Sequence, residues 1–462
     1  MPQISIIQKT DILEAGRFDA EYFKREYLEI EQKVNKTGYF LLKNISKNHN
    51  NKREPIKKES RGSGEYPYYG AQGIGSYIDK YIFDGEYLLV AEDGENLRSR
   101  KNDIAFSVNG KFWVNNHAHI LSFDNFKIEQ IVRNYLNILP IRAISGVAQP
   151  KLSKENLDNI RIPKILFNND FQIKIEKIVK EAHQKQAQSK QLYQQAEQLL
   201  LEELDLVDYQ PQYQLSFSTT KNDIVAAQRF DSEYFQPKYF DIINKIENYL
   251  GGFDEIKNIV NWKKGIEVGT DAYTKAGKNF VRVSDVSVNG IEAENRKISI
   301  ALFTKIKDKF QPKKGDILFS KDGTIGISYV LKSDIDGIIS SAFLRLALKD
   351  GYQNFEKECL TLILNSIICK LQIEQLSGGA IIAHLKPSDF EKFKIPLIKS
   401  SIQTKISNKI TQSHQLRAES KELLECAKLK VEQEIEKPLV AINNLNPSNQ
   451  SQNISLNLTV MV

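Results

Sequence analysis

The sequence predicts an α/β (α+β) protein built as an internal repeat. Two similar mixed domains are separated by two long helices, which pair as an antiparallel coiled coil and relate the halves by a pseudo-twofold axis. Three observations predict this. Residues 170 to 204 and 401 to 435 match without gaps at Gln172/Gln403, Lys174/Lys405, Ile175/Ile406, His183/His414, Gln184/Gln415, Ala187/Ala418, Ser189/Ser420, Lys190/Lys421, Leu192/Leu423 and Ala196/Ala427. A short aromatic stretch, GRFDAEYF at 16 to 23, returns as QRFDSEYF at 228 to 235. Between these landmarks, short apolar runs rich in β-branched and aromatic residues alternate with helical stretches, as in a mixed domain.

The size agrees with two domains or more: 462 residues, 41% of them hydrophobic, exceed what one core organises. A balance of 64 basic against 58 acidic residues, net +6, permits a polyanionic partner without requiring one. Cys359, Cys369 and Cys426 are odd in number and lack metal-ligand spacing, so they read as reduced thiols of a cytoplasmic protein. The start, MPQISIIQKTD, has no apolar signal core, and the run CLTLILNSIICKL at 359 to 371 is too short to cross a bilayer, so no membrane association is expected.

Taken in order, the first domain is expected over residues 1–166, the first long helix over 167–206, the second domain over 207–398 and the second long helix over 399–436. The Asn- and Ser-rich tail 437–462 is expected to be disordered. Within the domains, GEYLLVAEDG at 85 to 94 parallels KGDILFSKDG at 314 to 323, each a strand-like run ending in an Asp-Gly turn signal. VNNHAHIL at 114 to 121 parallels ISSAFLRL at 339 to 346, and SGVAQPKLSKENLDNIRIP at 145 to 163 parallels SGGAIIAHLKPSDFEKFKIP at 377 to 396. Further helical stretches are expected at 128–138 and 355–376. Pro163 and Pro396 stand where neither long helix can yet have begun, because proline restricts the residue before it and lacks a backbone donor. Each long helix has apolar ends and a small, polar middle, and spans roughly 50 Å at about 1.5 Å per residue. His183 and His414 are expected at the interface between them.

No phosphate loop, no GxGxxG opening a helix, no HExxH, no CxxC and no Asp/Asn-Pro-Pro-Tyr/Phe sequence occurs. Asn116, His117 and His119 cluster in the first half, but their counterparts are Ser341, Ala342 and Leu344, so a structural or contact role is expected rather than catalysis. The chain is therefore read as a binder, with no catalytic, cofactor-binding or metal-ligating residues.

Each domain does carry a basic, turn-rich segment interleaved with aromatic and amide residues. In the first, Lys43, Lys47, Lys52, Arg53, Lys57, Lys58 and Arg61 precede YPYYGAQGIGSY; in the second, the segment is WKKGIEVGTDAYTKAGKNFVRVSDV. Lys and Arg neutralise phosphates, while Arg, Asn, Gln, Ser and Thr can read base edges from loops. The candidate DNA-binding residues are Lys57, Lys58, Arg61, Tyr69, Gln72, Arg98, Arg100, Lys111, Asn115, Asn116 and His117 in the first half. In the second they are Lys263, Lys264, Thr270, Tyr273, Lys275, Lys278, Arg282, Lys321, Ser340 and Ser341.

Together with GKFWVNNHAHIL, FVRVSDV, AHQKQAQSKQL and SHQLRAESKEL, these stretches make the chain to about residue 436 resemble the specificity subunit of type I restriction-modification systems. The resemblance implies two target-recognition domains reading the halves of a bipartite, asymmetric site in double-stranded DNA. It also implies two modification (methyltransferase) subunits docked on the helices, and restriction subunits that translocate and cut. S-adenosylmethionine, ATP and Mg would be used by those partners and none by this chain. A stand-alone or differently partnered bipartite DNA-binding protein, or a coiled-coil scaffold without a DNA function, remain as alternatives.

Overall fold

In a computed structural model, the structure describes residues 7, 9–15, 17–18, 20–57, 64–100, 102–139, 141–146, 149–291, 296–377 and 384–436. The tail 437–462 lies outside them. The described residues form two compact units, one lying within residues 3–183 and 420–436 and the other within residues 184–419.

In the first unit, strands β1 (Tyr39–Leu41), β2 (Lys47–Asn48), β3 (Tyr66–Gly70), β4 (Gly73–Ile78), β5 (Phe83–Ala91), β6 (Ala105–Val114), β7 (Ala118–Ser122) and β8 (Arg161–Pro163) follow one another in sequence. Six of them form a sheet in the order β2-β7-β5-β6-β3-β4, antiparallel except where β3 runs parallel to β6. The apolar run of β5 is buried on both faces: Leu88 and Val90 point into the main core, and Leu89 into a smaller aromatic one with Phe83 and Phe112. That is the period-two alternation of a strand covered on both sides. The helix Phe126–Ile138 covers the main core with Ile131, Val132, Tyr135 and Leu136, and Asn125 caps its start by accepting from the Lys127 amide.

The second unit repeats this plan with shorter strands: β9 (Phe253–Glu255), β10 (Val260–Lys264), β11 (Tyr273–Thr274), β12 (Lys278–Val281), β13 (Val286–Ser287), β14 (Gly290–Ile291), β15 (Lys297–Ile298), β16 (Ile317–Ser320), β17 (Ser328–Val330), β18 (Gly337–Ile339), β19 (Phe343–Leu348) and β20 (Lys394–Pro396). They are split between sheets ordered β10-β19-β16-β17 and β11-β15-β12-β18, with a β13-β14 ribbon and a β20-β9 pair. Along β16, Ile317 and Phe319 enter the main core and Leu318 the opposite one, as Leu88, Val90 and Leu89 do along β5. The helical stretch expected at 355–376 is two helices, Lys357–Asn365 and Ile367–Ser377, meeting at 51°. Ser366 breaks it: its hydroxyl donates to the Ile363 carbonyl and accepts from the Ile368 amide, so a side chain takes over the backbone's bonds. Among the described residues no single helix is long and apolar enough to cross a membrane.

The repeated aromatic stretch repeats its contacts as well as its letters. Tyr22 and Phe23 meet edge-on at 5.0 Å, Tyr234 and Phe235 likewise at 5.0 Å, and Arg17 and Arg229 lie over Tyr22 and Tyr234. Phe23 and Phe235 are buried, whereas Phe18 and Phe230 stand exposed. At the other end of each domain the Ile-Pro strands β8 and β20 pair with β1 and β9. Proline can occupy these strand ends because the backbone there leads out of the ladder.

The long helices run over Asn169–Glu203 and Ser400–Glu436 and pack together. In the second unit Lys185 bonds Glu419, Lys409 bonds Gln195, and Ser189 and Ser413 hydroxyls lie 3.0 Å apart. Partners that rise on one helix as they fall on the other define an antiparallel pair. The Ser413 hydroxyl donates to the Ser189 carbonyl, which leaves the Ser189 hydroxyl to donate back to Ser413. In the first unit Ile175 shares the core with Val431 and Ile435. The buried stripe is small and heptad-spaced, Ala182, Ser189 and Ala196 on one helix and Ser413, Ser420 and Ala427 on the other. Ser189→Leu is expected to overfill this stripe and destabilise the second unit by about 1–3 kcal/mol, measurable by urea unfolding against Ser189→Ala.

The two matched histidines are not at this interface. His183 lies 3.6 Å from Asp103, and His414 bonds the Val288 carbonyl and packs on Tyr329, so each turns to the domain of its own unit. The stripe admits only Ala- and Ser-sized side chains, which leaves an imidazole no room there.

Candidate nucleic-acid interface

In each domain the strands deliver a cluster of polar side chains to one rim. In the first, β3 runs parallel to the end of β6, pairing Tyr69 with Val114, and the Asn115 amide donates to the Tyr69 carbonyl at 3.1 Å. The chain then turns: Asn115 Oδ1 accepts from the His117 amide at 2.8 Å, the Asx geometry that lets a short side chain replace a backbone turn bond. Beneath the turn, Arg53 Nη1 donates to Glu92 Oε2 at 2.5 Å and to the Asn116 and Ala118 carbonyls at 3.2 and 3.0 Å. Lys151 Nζ lies 3.5 Å from Glu92 Oε1. Burial alone would raise the Glu92 carboxyl, but the Arg53 hydrogen bond, with the positive charges of Arg53 and Lys151, holds it below its ordinary value.

His119, fully buried, accepts at Nδ1 from Asn50 Nδ2 and donates from Nε2 to the Leu152 carbonyl. That pair of bonds requires the neutral Nε2–H tautomer, and burial pushes its pKa down. His119 is therefore a structural strut. His117, two residues earlier, stands half exposed, with Nδ1 2.8 Å from Asp93 Oδ2.

The second domain builds the same rim from different side chains. β12 runs parallel to β18, pairing Val281 with Ile339, and the Ser340 amide donates to the Val281 carbonyl at 2.9 Å. Ser341 Oγ donates to Glu267 Oε2 at 2.8 Å. Lys321 occupies the place of Glu92: its amide bonds the Ala342 carbonyl as that of Glu92 bonds His117. Its buried ammonium bonds Asp322 at 2.6 Å. Asp322 also pairs with His384. The Arg282 amide is capped by Asp285, and three buried polar atoms here, Arg282 Nε, Asp322 Oδ1 and Ser340 Oγ, have no hydrogen-bond partner among the described residues.

Tyr69, Asn115, Asn116 and His117 thus converge on the first rim, and Arg282, Lys321, Ser340 and Ser341 on the second. Lys264 ends β10 beside it, opposite Leu344, with Lys263 exposed one residue earlier. Gln72 is exposed in the β3–β4 turn, Lys57 is exposed in the segment after Arg53, and Thr270 and Lys275 are exposed on the loop around the half-buried Tyr273. Lys58 and Arg61 lie outside the described residues. Other candidates lie elsewhere: Lys111 is paired across from Asp84 with its ammonium over Tyr81, Lys278 pairs with Asp336, and Arg98 sits 3.8 Å from Glu21.

Arg100 and Lys321 require correction as candidate contacts. Arg100 takes a left-handed backbone and donates to the Leu97, Leu136 and Leu139 carbonyls, with burial lowering its pKa to about 10. It ties a helix end to the fold. The Lys321 ammonium is spent on Asp322 beneath the rim. Sequence reasoning also missed Glu92, Asp93, Lys151, Glu267, Asp322 and His384, and read Arg53 as one more cation of a solvated run. The one available signal was the Asp-Gly repeated in both halves, which marked a turn but not the partners of its aspartate.

A family model described as the type I restriction modification DNA specificity domain matches this chain twice, over residues 29–198 and 253–425. The chain belongs to this family. Each matched segment of the specificity-domain protein contains one of the rims. A putative type I restriction enzyme specificity subunit of Haemophilus influenzae is 28% identical over 298 residues, which cover 62% of this chain and 65% of that protein, just under two thirds of its length. Among solved structures, the S subunit of a type I restriction-modification system from M. genitalium is 13% identical, covering 86% of this chain and 95% of that one with a TM-score of 0.44. The HsdS subunit of Thermoanaerobacter tengcongensis is 13% identical, covering 87% and 97% with a TM-score of 0.26.

Proposed function

We propose that this chain is the non-catalytic DNA-specificity subunit of a type I restriction-modification complex. Its first domain reads one half of a bipartite, asymmetric site in double-stranded DNA, its second domain reads the other half, and the paired long helices fix the unspecified spacer. Two modification subunits, docked on the helices, methylate adenine with S-adenosylmethionine, and restriction subunits use ATP and Mg to translocate and cut. The observation that carries this reading is the family match occurring once in each half, over rims that share a backbone frame but not their side chains. A shared frame with different furniture suits two half-sites of different sequence. Affinity comes from exposed cations such as Lys57, Lys263, Lys264 and Lys275 on phosphates, and discrimination from the rim residues Asn116, His117 and Ser341 on base edges.

Single-molecule sequencing of methylated bases tests this in cells that express the modification subunit, with and without this chain. A bipartite methyladenine motif present only with the chain is expected. Its absence, with the modification subunit demonstrably expressed, overturns the proposal.

A further inference from the structure

The two domains hold a histidine against the same aspartate, yet take it from different segments. Asp93 and Asp322 are equivalent by their backbone bonds. Each lies one residue past a position whose amide bonds the turn (Glu92 to the His117 carbonyl, Lys321 to Ala342) and whose carbonyl accepts from a leucine amide (Leu152 at 2.7 Å, Leu385 at 2.9 Å). Each also forms an isolated bridge, Asp93 with Lys151 and Asp322 with His384. By this register His117 corresponds to Ala342, and Lys151 to His384. In the first domain the imidazole comes from the turn, and Lys151 is drawn to Glu92 instead. In the second the turn supplies only alanine, and the imidazole comes from the bridging segment.

Packing does not explain why the pair persists while its supplier changes. The His117 and His384 side chains are 48% and 56% exposed, whereas Asp93 and Asp322 are 20% and 27% exposed. The carboxylates are thus sheltered and the rings face outward. In each pair it is Nδ1 that meets the carboxylate. His117 Nδ1 hydrogen-bonds Asp93, which can only accept, so Nδ1 donates there, while His384 Nδ1 makes an ion-pair contact with Asp322 Oδ1, a buried oxygen with no hydrogen-bond partner among the described residues. With its proton on Nδ1, an uncharged ring leaves Nε2, on the side away from the carboxylate, as a hydrogen-bond acceptor. In the second domain the unpartnered Ser340 Oγ sits in the turn that lies against this position.

We propose that Asp93–His117 and Asp322–His384 are matched specificity devices, one per domain. In each, the aspartate is a positioning residue and the imidazole Nε2 accepts from an exocyclic amino group of adenine or cytosine in the major groove. This rests on the DNA-reading function proposed above and adds the residues and the base chemistry.

The test uses the chain assembled with its modification subunits. Duplexes carry the methylated motif with each base pair of both half-sites replaced in turn, and competition binding is measured for wild type, His117→Ala, His384→Ala, Asp93→Asn and Asp322→Asn, with thermal melting of each. His117→Ala is expected to lose about five- to tenfold discrimination at a single A·T or C·G position of one half-site, and His384→Ala at a single position of the other. Asp93→Asn and Asp322→Asn should lose part of the discrimination at the same positions as their histidines. Unchanged discrimination overturns the proposal. So does a uniform loss on all duplexes, whether with a shallower salt dependence, which marks a phosphate contact, or with a lowered melting temperature, which marks a turn brace. A wild-type complex that distinguishes no duplex overturns the functional reading itself, a result separable from the others.

Discussion

Arg53→Ala is expected to be among the most damaging single polar substitutions in the first unit. Its guanidinium satisfies the Glu92 carboxylate and the Asn50, Asn116 and Ala118 carbonyls from a largely buried position. Removing it strands a sheltered negative charge with only Lys151 at 3.5 Å and a buried neutral histidine nearby. Breaking one side of such a pair costs about 3–5 kcal/mol, which for a unit of this size lowers the melting temperature by roughly 10 °C. Arg53→Lys should recover little, because one ammonium cannot reproduce the planar fork that serves acceptors on three chain segments. Thermal melting checks the magnitude. The rim turn at Asn116 to Ala118 loses its anchor too, so recognition of one half-site should degrade while the other is retained. Equal loss at both half-sites would mean that Arg53 acts through more than its own domain.

Acidification from pH 7 to pH 4 is expected to destabilise the second unit by about 3 kcal/mol through His414 alone. Burial, with Lys332 and Arg417 nearby, pushes its pKa from 6.5 to about 4, against a smaller opposing contribution from the Val288 carbonyl. Nε2 donates to that carbonyl, and the buried Nδ1, which would take the second proton, has no hydrogen-bond partner among the described residues. A histidine with a depressed folded-state pKa binds its proton more readily when unfolded. Its contribution is complete above about pH 6.5, declines as the pH falls through 6.5 towards 4, and levels off below. His414→Gln keeps a donor for Val288 and removes the titration, so its unfolding free energy should change less with pH than wild type between pH 6.5 and 4. Parallel pH profiles for the two proteins would assign the dependence to other groups. In the first unit the buried His119 acts in the same direction.

The repeat and the mixed strand-and-helix character were legible because they rest on local pattern. A gapless match of heptad-compatible sequence, runs such as YLLVA and DILFS that tolerate burial on both faces, and an Asp-Gly ending each of them all act within a few residues of themselves. Ser366 escaped notice because a single hydroxyl, not a proline or glycine, breaks that helix.

What the sequence by itself determined is the architecture and the kind of surface: two similar mixed domains, two paired long helices, and a basic, amide-rich segment in each half. Only the tertiary structure decided which cations are available. Lys57 and Arg53 are neighbours in one run, and Arg100 and Lys321 look like ordinary surface cations, yet Lys57 is exposed while the other three are bound inside the fold. The same holds for the paired histidines, since Asp93 meets His117 across 24 residues and Asp322 meets His384 across 62. Periodicity follows from the spacing of neighbours along the chain. The availability of a charge depends on which distant carbonyls and carboxylates the fold brings to it, and nothing in the local pattern encodes that.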